Sequence, residues 1–192
     1  MMRITDVVKN LLILNVIIFF VVRYDLIPFI PGLIKYFVMM PIGQGFEPYQ
    51  IATHMFMHGD ERHLLFNMLM LFFIGPAVEQ TLGPKRFLLL YIIAGVSSAF
   101  LHLLISNGSV VGASGALYGI LVAFATMFPN MKMIIFPLPF EVKAKYLVGA
   151  YVVYDLYTGL TGYEDNIAHF AHIGGAIAGF VMIYFWNMVK LR

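Results

Sequence analysis

The stretch Gly112-Ala113-Ser114-Gly115-Ala116-Leu117-Tyr118-Gly119-Ile120-Leu121-Val122-Ala123-Phe124 decides how this chain is read. It sets a serine between glycines at the mouth of a hydrophobic helix. Such a serine is common in a soluble loop and rare at the end of a membrane span. Polar groups within a bilayer are paired, turned inward or functional. A second polar residue stands at the mouth of another apolar run: His172.

Composition settles the class. The chain of 192 residues is 61% hydrophobic and 11% charged, with a mean hydropathy of +0.86. Globular chains carry about a quarter charged residues. A domain of this length cannot hide so much apolar surface, so the bilayer is the solvent for most of it. Cysteine is absent, which excludes disulfide and thiolate chemistry and leaves the redox compartment unread.

Each membrane helix needs about 20 apolar residues. Hydropathy predicts six, over 7–22, 63–78, 87–105, 114–128, 145–160 and 167–189. The first is short and extends back into 2–6. No small-residue cleavage site follows it, so it reads as a retained span rather than a signal peptide. The segment 23–61 holds Pro28, Pro31, Pro41 and Pro48 among apolar residues and reads as a loop lying in the interface. No linker or repeat divides the chain, so 1–192 is expected to form one membrane domain.

Six spans put both termini on one side. That side holds Arg3, Lys9, Lys85, Arg86, Lys132, Lys143, Lys145, Lys190 and Arg192, against Arg23, Lys35 and Arg62 opposite. The positive-inside rule makes the richer side cytoplasmic. Spans two, four and six then all begin at the outer face. Ser114, His172, His63 and Asn67 converge there at similar depth, from topology alone.

Spacing narrows this further. Ser114 and Tyr118 are i and i+4, on one helix face. His172, Gly175 and Gly179 share a face of span six. Gly175-Ala176-Ile177-Ala178-Gly179 is a GxxxG pattern, which lets helix backbones approach closely. If spans four and six pack through these glycines, Ser114 and His172 come within hydrogen-bond reach. The plainer reading is that the glycines only tighten a bundle while the serine caps a helix. Spacing alone leaves both open.

Chemistry favours a site. A serine hydroxyl is a poor nucleophile until a base takes its proton. Histidine, with an ordinary pKa of about 6.5, suits that task near neutrality. Attack on a carbonyl makes an oxyanion, which needs donors. The N-terminus of span four offers backbone N–H groups and the positive end of the helix dipole. His63 and Asn67 offer side-chain N–H groups four residues apart. Gly112 lets the chain turn tightly there.

These residues carry a resemblance. Gly112-Ala113-Ser114-Gly115 with Tyr118, the run from His172 to Gly179, and His63-Leu64-Leu65-Phe66-Asn67 resemble the three signature motifs of rhomboid intramembrane serine proteases. Thr53-His54, Met57-His58 and the run from Gly75 to Gly83 agree with the flanks of that family. The likeness covers 47–186. It implies a six-helix rhomboid-like bundle, both termini cytoplasmic, of the compact form found in the bacterial cytoplasmic membrane. It implies a Ser–His dyad: Ser114 as nucleophile, His172 as base and then acid. His63, Asn67 and the Ser114 N–H would line the oxyanion hole. Tyr118 would stack on the imidazole and orient it in place of an aspartate. The implied substrates are transmembrane segments of other proteins, cut near their outer ends, with no cofactor, no metal and no nucleic acid involved. One departure is that the loop after span one lacks the family's Trp-Arg pair, since the single tryptophan is Trp186. Arg23 and the apolar residues over 29–38 are expected to anchor that loop.

Other polar residues read more plainly. His54 and His58 are expected to bond the loop after span one rather than hold zinc. His169 reads as solvated or loop-capping, and Asp155 as a solvated interfacial acid rather than a partner of His172. Glu79 and Arg86 are expected to hold the loop between spans two and three. Span five and the loop 161–167, with Gly162, Glu164 and Asp165, are candidate gates. Two rival classes are an inactive rhomboid-like binder of membrane clients and a small channel or transporter. The first generally lacks the serine or histidine. The second lacks acids or bases in the inner half of the bundle.

Overall fold

A computed structural model of the chain describes residues 3–27, 29–30, 32–134, 140–161 and 168–189. Six long helices dominate it: α1 (Asp6–Arg23), α3 (Glu61–Leu82), α4 (Pro84–Ile105), α5 (Ser114–Met127), α6 (Ala144–Thr161) and α7 (His169–Phe185). Each falls on one of the six predicted spans. A one-turn helix α2 (Gln50–Thr53) and 3-10 turns at Leu33–Tyr36 and His54–Phe56 lie between α1 and α3. The sequence reading placed no strand between spans four and five. The structure has a small antiparallel hairpin there, β1 (Lys132–Ile134) against β2 (Glu141–Lys143), with Lys132 and Glu141 bridged at 2.7 Å.

Local chemistry sets the helix ends. Asp60 caps α3 by accepting the His63 N–H at 2.7 Å, the usual task of an aspartate at that position. Gly83, at φ 78°, ends α3, and Pro84 opens α4 at once. Glycine tolerates the left-handed turn, and proline suits the first helical position because its missing N–H has no partner there. The N-terminus of α1 is capped from afar. The buried Glu79 carboxylate accepts from Thr5 Oγ1 and from the Val7 and Val8 N–H groups at 3.1 and 2.9 Å. Glu79 therefore ties α3 to α1, and not the α3–α4 loop as expected. Arg86 instead lies over the Trp186 ring, 5.5 Å from its centroid.

Two of these helices, α3 and α4, are long and apolar enough to cross a membrane by length and composition; α5 and α7 are apolar but shorter. The outward faces are apolar: Leu88, Leu89, Ile92, Phe100 and Leu104 of α4 all lie exposed, as do Leu65, Phe66 and Phe73 of α3. Faces of that extent need an apolar surrounding or a partner. In the 23–61 segment Leu26, Phe29 and Ile42 also point outward.

Helix α5 is enclosed by α3, α4, α6 and α7. Its glycines make this possible. A Cβ on Gly175 would strike the Gly115 carbonyl, and one on Gly179 would come within 2.7 Å of Gly119 Cα. Helices α5 and α7 thus meet backbone to backbone, through the glycine faces that the spacing picked out. Below them Leu71, Phe87, Leu90, Leu117, Ile120 and Ile183 fill the main core.

Candidate active site

Ser114 is the first residue of α5, and the segment before it is held at several points. Met39 and Val110 exchange both backbone hydrogen bonds at 3.0 Å. The Gly112 N–H donates to the His54 carbonyl at 2.9 Å, and the Ala113 N–H to His58 Nε2 at 3.5 Å. Gly112 sits at φ 124°, and a Cβ there would lie 2.7 Å from His63 Cε1 and 2.8 Å from Nε2. Only glycine meets both conditions. His54 and His58 therefore bond the loop that leads into the serine, besides the His54 Nδ1 contact to Gln50 O at 3.0 Å.

Both histidines are buried, and burial pushes them down, His54 to about 4 and His58 to about 3. Neighbouring histidines add a smaller push the same way, His102 on His54 and His63 on His58. His58 is therefore neutral near pH 7, and its Nε2 is free to accept the Ala113 N–H.

Across the glycine contact, α7 brings His172 to the serine. His172 Nε2 lies 2.9 Å from Ser114 Oγ. Tyr118, one turn into α5, stacks on the imidazole with ring centroids 4.2 Å apart and planes 7° from parallel. The structure thus brings Ser114, Tyr118 and His172 together.

His63 and Asn67 stand on the first turns of α3. The Gly59 N–H donates to His63 Nδ1 at 3.3 Å. That makes Nδ1 the acceptor and leaves the hydrogen on Nε2, the atom that faces Gly112. Asn67 donates one Nδ2 hydrogen to the His63 carbonyl at 2.8 Å. Its Oδ1 is buried with no partner among the described residues. The second Nδ2 hydrogen is an amide donor beyond that bond.

Two expectations are overturned on α6 and α7. Asp155 is not a solvated acid: it is 2% exposed, and its Oδ1 lies 3.0 Å from His172 Nδ1 and 2.6 Å from His169 Nδ1. His169 is likewise buried and also meets Thr158 Oγ1 at 3.1 Å. The signal was in the sequence. Asp155 is the one acid in its span, and a carboxylate in an apolar helix needs a partner. Of the candidate gate loop 161–167, Thr161 closes α6 and 162–167 lie outside the described residues.

Asp155, His169 and His172 each offer one ligand atom, all within 4.8 Å. Ligands at about 2.0–2.1 Å from a tetrahedral zinc stand about 3.3 Å apart. The 2.6 and 3.0 Å separations here are shorter and fit shared hydrogens.

Fold and site together define a helical membrane protein with a serine–histidine pair where its helices meet. A family model described as the Rhomboid domain matches residues 45–188, and the chain belongs to the rhomboid family of integral membrane proteins. It is similar to the rhomboid protease GlpG of Haemophilus influenzae, 28% identical over 151 residues that cover 78% of this chain and 74% of that one. It is 34% identical over 140 residues to the rhomboid protease GluP of Bacillus subtilis, covering 72% of this chain and 26% of that one. RHOMBOID-like protein 4 of Arabidopsis thaliana is 33% identical over 141 residues, 72% of this chain and 34% of the relative. The matched region is therefore about a third or less of the Arabidopsis and Bacillus relatives.

Proposed function

We propose that this chain is an intramembrane serine endopeptidase that cuts transmembrane segments of other proteins near the outer face of the membrane. The observation that carries the reading is the 2.9 Å approach of His172 Nε2 to Ser114 Oγ. The names of the bacterial relatives, which are rhomboid proteases, support it.

The steps follow from the residues. His172 Nε2 takes the Ser114 proton as Oγ bonds to the scissile carbonyl carbon, and the carbonyl π pair moves to oxygen. The oxyanion meets the N–H groups at the start of α5 and the side-chain donors of His63 and Asn67. Losing one such donor commonly lowers the rate about 10²–10³-fold. The C–N bond then breaks, and the leaving amine takes its proton from His172. Water, deprotonated by the same nitrogen, then adds to the acyl carbon; the C–Oγ bond breaks, the acid is released, and Ser114 Oγ takes its proton back from His172.

In this reading the six long helices all cross the bilayer, both termini are cytoplasmic, and the membrane is the cytoplasmic membrane of a bacterium. The nine-to-three division of basic residues supports the orientation. The test uses purified protein and a model transmembrane substrate. Cleavage by the wild type is expected to vanish in Ser114→Ala and His172→Ala, while a fluorophosphonate probe labels the wild type and not Ser114→Ala. Equal cleavage by wild type and Ser114→Ala overturns the proposal.

A further inference from the structure

Helix α6 contributes little apolar surface to the bundle near the site. Its buried residues there are polar, Asp155 and Thr158. The carboxylate is enclosed beside the Tyr118 hydroxyl, and its Oδ2 has no closer hydrogen-bond partner among the described residues. A buried acid left partly unpaired needs an explanation.

Stacking leaves one question about His172 unanswered. Tyr118 fixes the plane of the imidazole. A plane is equally satisfied when the ring turns over by 180°, which exchanges Nδ1 and Cδ2 and carries Nε2 away from the serine. Stacking also leaves undecided which nitrogen carries the hydrogen. Only a partner at Nδ1 answers both, and Asp155 Oδ1 is that partner, at 3.0 Å. It accepts the Nδ1 hydrogen, which leaves Nε2 with a lone pair toward Ser114 Oγ.

We infer that Asp155 is a positioning residue of the serine–histidine centre, holding His172 in the rotamer and tautomer that accept the serine proton, and that His169 holds the Asp155 carboxylate in place. This rests on the endopeptidase reading above. The carboxylate keeps its charge throughout. When Ser114 gives its proton to Nε2, the imidazolium is stabilised by the anion beside Nδ1, and no proton passes to Asp155. His169 Nδ1, 2.6 Å from the same oxygen and 3.1 Å from Thr158 Oγ1, fixes the carboxylate from the other side.

The centre thus draws on three helices: Ser114 and Tyr118 from α5, Asp155 from α6, His172 and His169 from α7. The titratable groups around His172 are Tyr118 on α5, Asp155 on α6 and His169 on its own helix. Beyond them stand Tyr151 and Tyr154 of α6 and His63 of α3. Helix α4, packed along the other side of α7, presents Ser97, Ser98 and Leu101 beside Gly174. Asp155 is the one acid in this set, so its removal changes the charge felt by His172.

The experiment compares wild type, Asp155→Asn, Asp155→Glu, His169→Gln and Ser114→Ala in one detergent or proteoliposome assay, with thermal unfolding to show that each is folded. Asp155→Asn is expected to lower kcat by about 10²-fold or more, with KM within about threefold. The acid limb of kcat/KM should move to lower pH by about one unit, because the imidazolium has lost its anion. Asp155→Glu should restore part of both effects. His169→Gln should lower kcat about tenfold or less. Rates of fluorophosphonate labelling, which need no substrate, should follow the same order. An Asp155→Asn protein with wild-type kcat and an unmoved acid limb overturns the inference. Should that variant fail to fold, Asp155→Ser, which also removes the charge, overturns it equally if the acid limb is unmoved and the labelling rate is full. Cleavage surviving in Ser114→Ala would instead remove the endopeptidase reading itself, so the two failures are distinct.

Discussion

The aromatic ring of Tyr118 and the imidazole of His172 lie face to face, 4.2 Å between centroids and 7° from parallel, although they belong to different helices. The flat face of Tyr118 does this, while its hydroxyl stands beside the Asp155 carboxylate. Tyr118→Phe should keep most of the activity. Tyr118→Ala removes the wall and should lower kcat about tenfold to a hundredfold, since small misplacement of a reacting group has that effect. Equal losses in both variants, measured on the model substrate, would show that the hydroxyl matters more than the ring.

Gly112 has two reasons to be glycine: φ 124° and the His63 ring 2.7 Å from where a Cβ would stand. Gly112→Ala should displace His63 and the loop into Ser114 together. The expected result is a loss of activity of about 10²-fold or more, as for loss of an oxyanion donor, with a smaller loss of stability. Activity and Tm measured on the same preparation check it, and full activity would contradict it.

The α5–α7 contact predicts a contrast between glycines. Gly175→Ala places a methyl against the Gly115 carbonyl, a backbone atom that cannot turn away. Overpacking of this kind costs about 1–3 kcal/mol or more. Gly149 of α6 has nothing within 4 Å of its would-be Cβ. Gly149→Ala should be neutral or stabilising by up to about 1 kcal/mol. Thermal unfolding of the two variants should shift in opposite directions, or leave Gly149→Ala unchanged.

Glu79 accepts two N–H groups at the start of α1 and the hydroxyl of Thr5. Glu79→Ala leaves those donors unpaired and should cost about 1–3 kcal/mol. Glu79→Gln should cost less, because one amide oxygen can still accept. Both should spare kcat, since Glu79 lies at the opposite end of α3 from His63. A kcat loss with unchanged Tm would refute this assignment.

His54 and His58 make the fold sensitive to acid. Both are neutral when folded, with values lowered to about 4 and about 3, against about 6.5 in an unfolded chain. Between those limits the unfolded chain binds more protons, so stability is full above about pH 6.5 and falls as pH drops toward 4 and then 3. Each histidine contributes a slope of roughly 1.4 kcal/mol per pH unit in that window. The Tm of His58→Gln should therefore fall less steeply between pH 6.5 and 4 than that of the wild type.

Much of this site was legible before any coordinates. Helix positions followed from apolar runs, and the approach of α5 to α7 from Gly175 and Gly179, because glycine at that spacing has few other uses in an apolar helix. Spacing brought Ser114 and His172 within possible reach, and the stacking of Tyr118 on His172 came only from the family resemblance. Asp155 and His169 were misread because a lone acid near the end of a span has two resting places, the headgroup layer or the bundle interior. Hydropathy does not distinguish them; the rotation of α6 does. Glu79 was misread for a related reason. Its partners are backbone N–H groups more than seventy positions away, and backbone donors leave no mark in a sequence. The β1–β2 hairpin went unseen because each strand has only three residues.

Helix α5 has 14 residues, which is about 21 Å of helix where a hydrocarbon core measures about 30 Å. Set in a bilayer with its Met127 end flush with one boundary, it leaves Ser114 about 9 Å beneath the other. The shortness of one helix thus acts as a plumb line. Under the proposed endopeptidase reading, it sets how far down a substrate must be opened before a peptide bond meets the hydroxyl. Adding or removing one turn of α5 would change that depth by about 5 Å without touching a single residue of the centre.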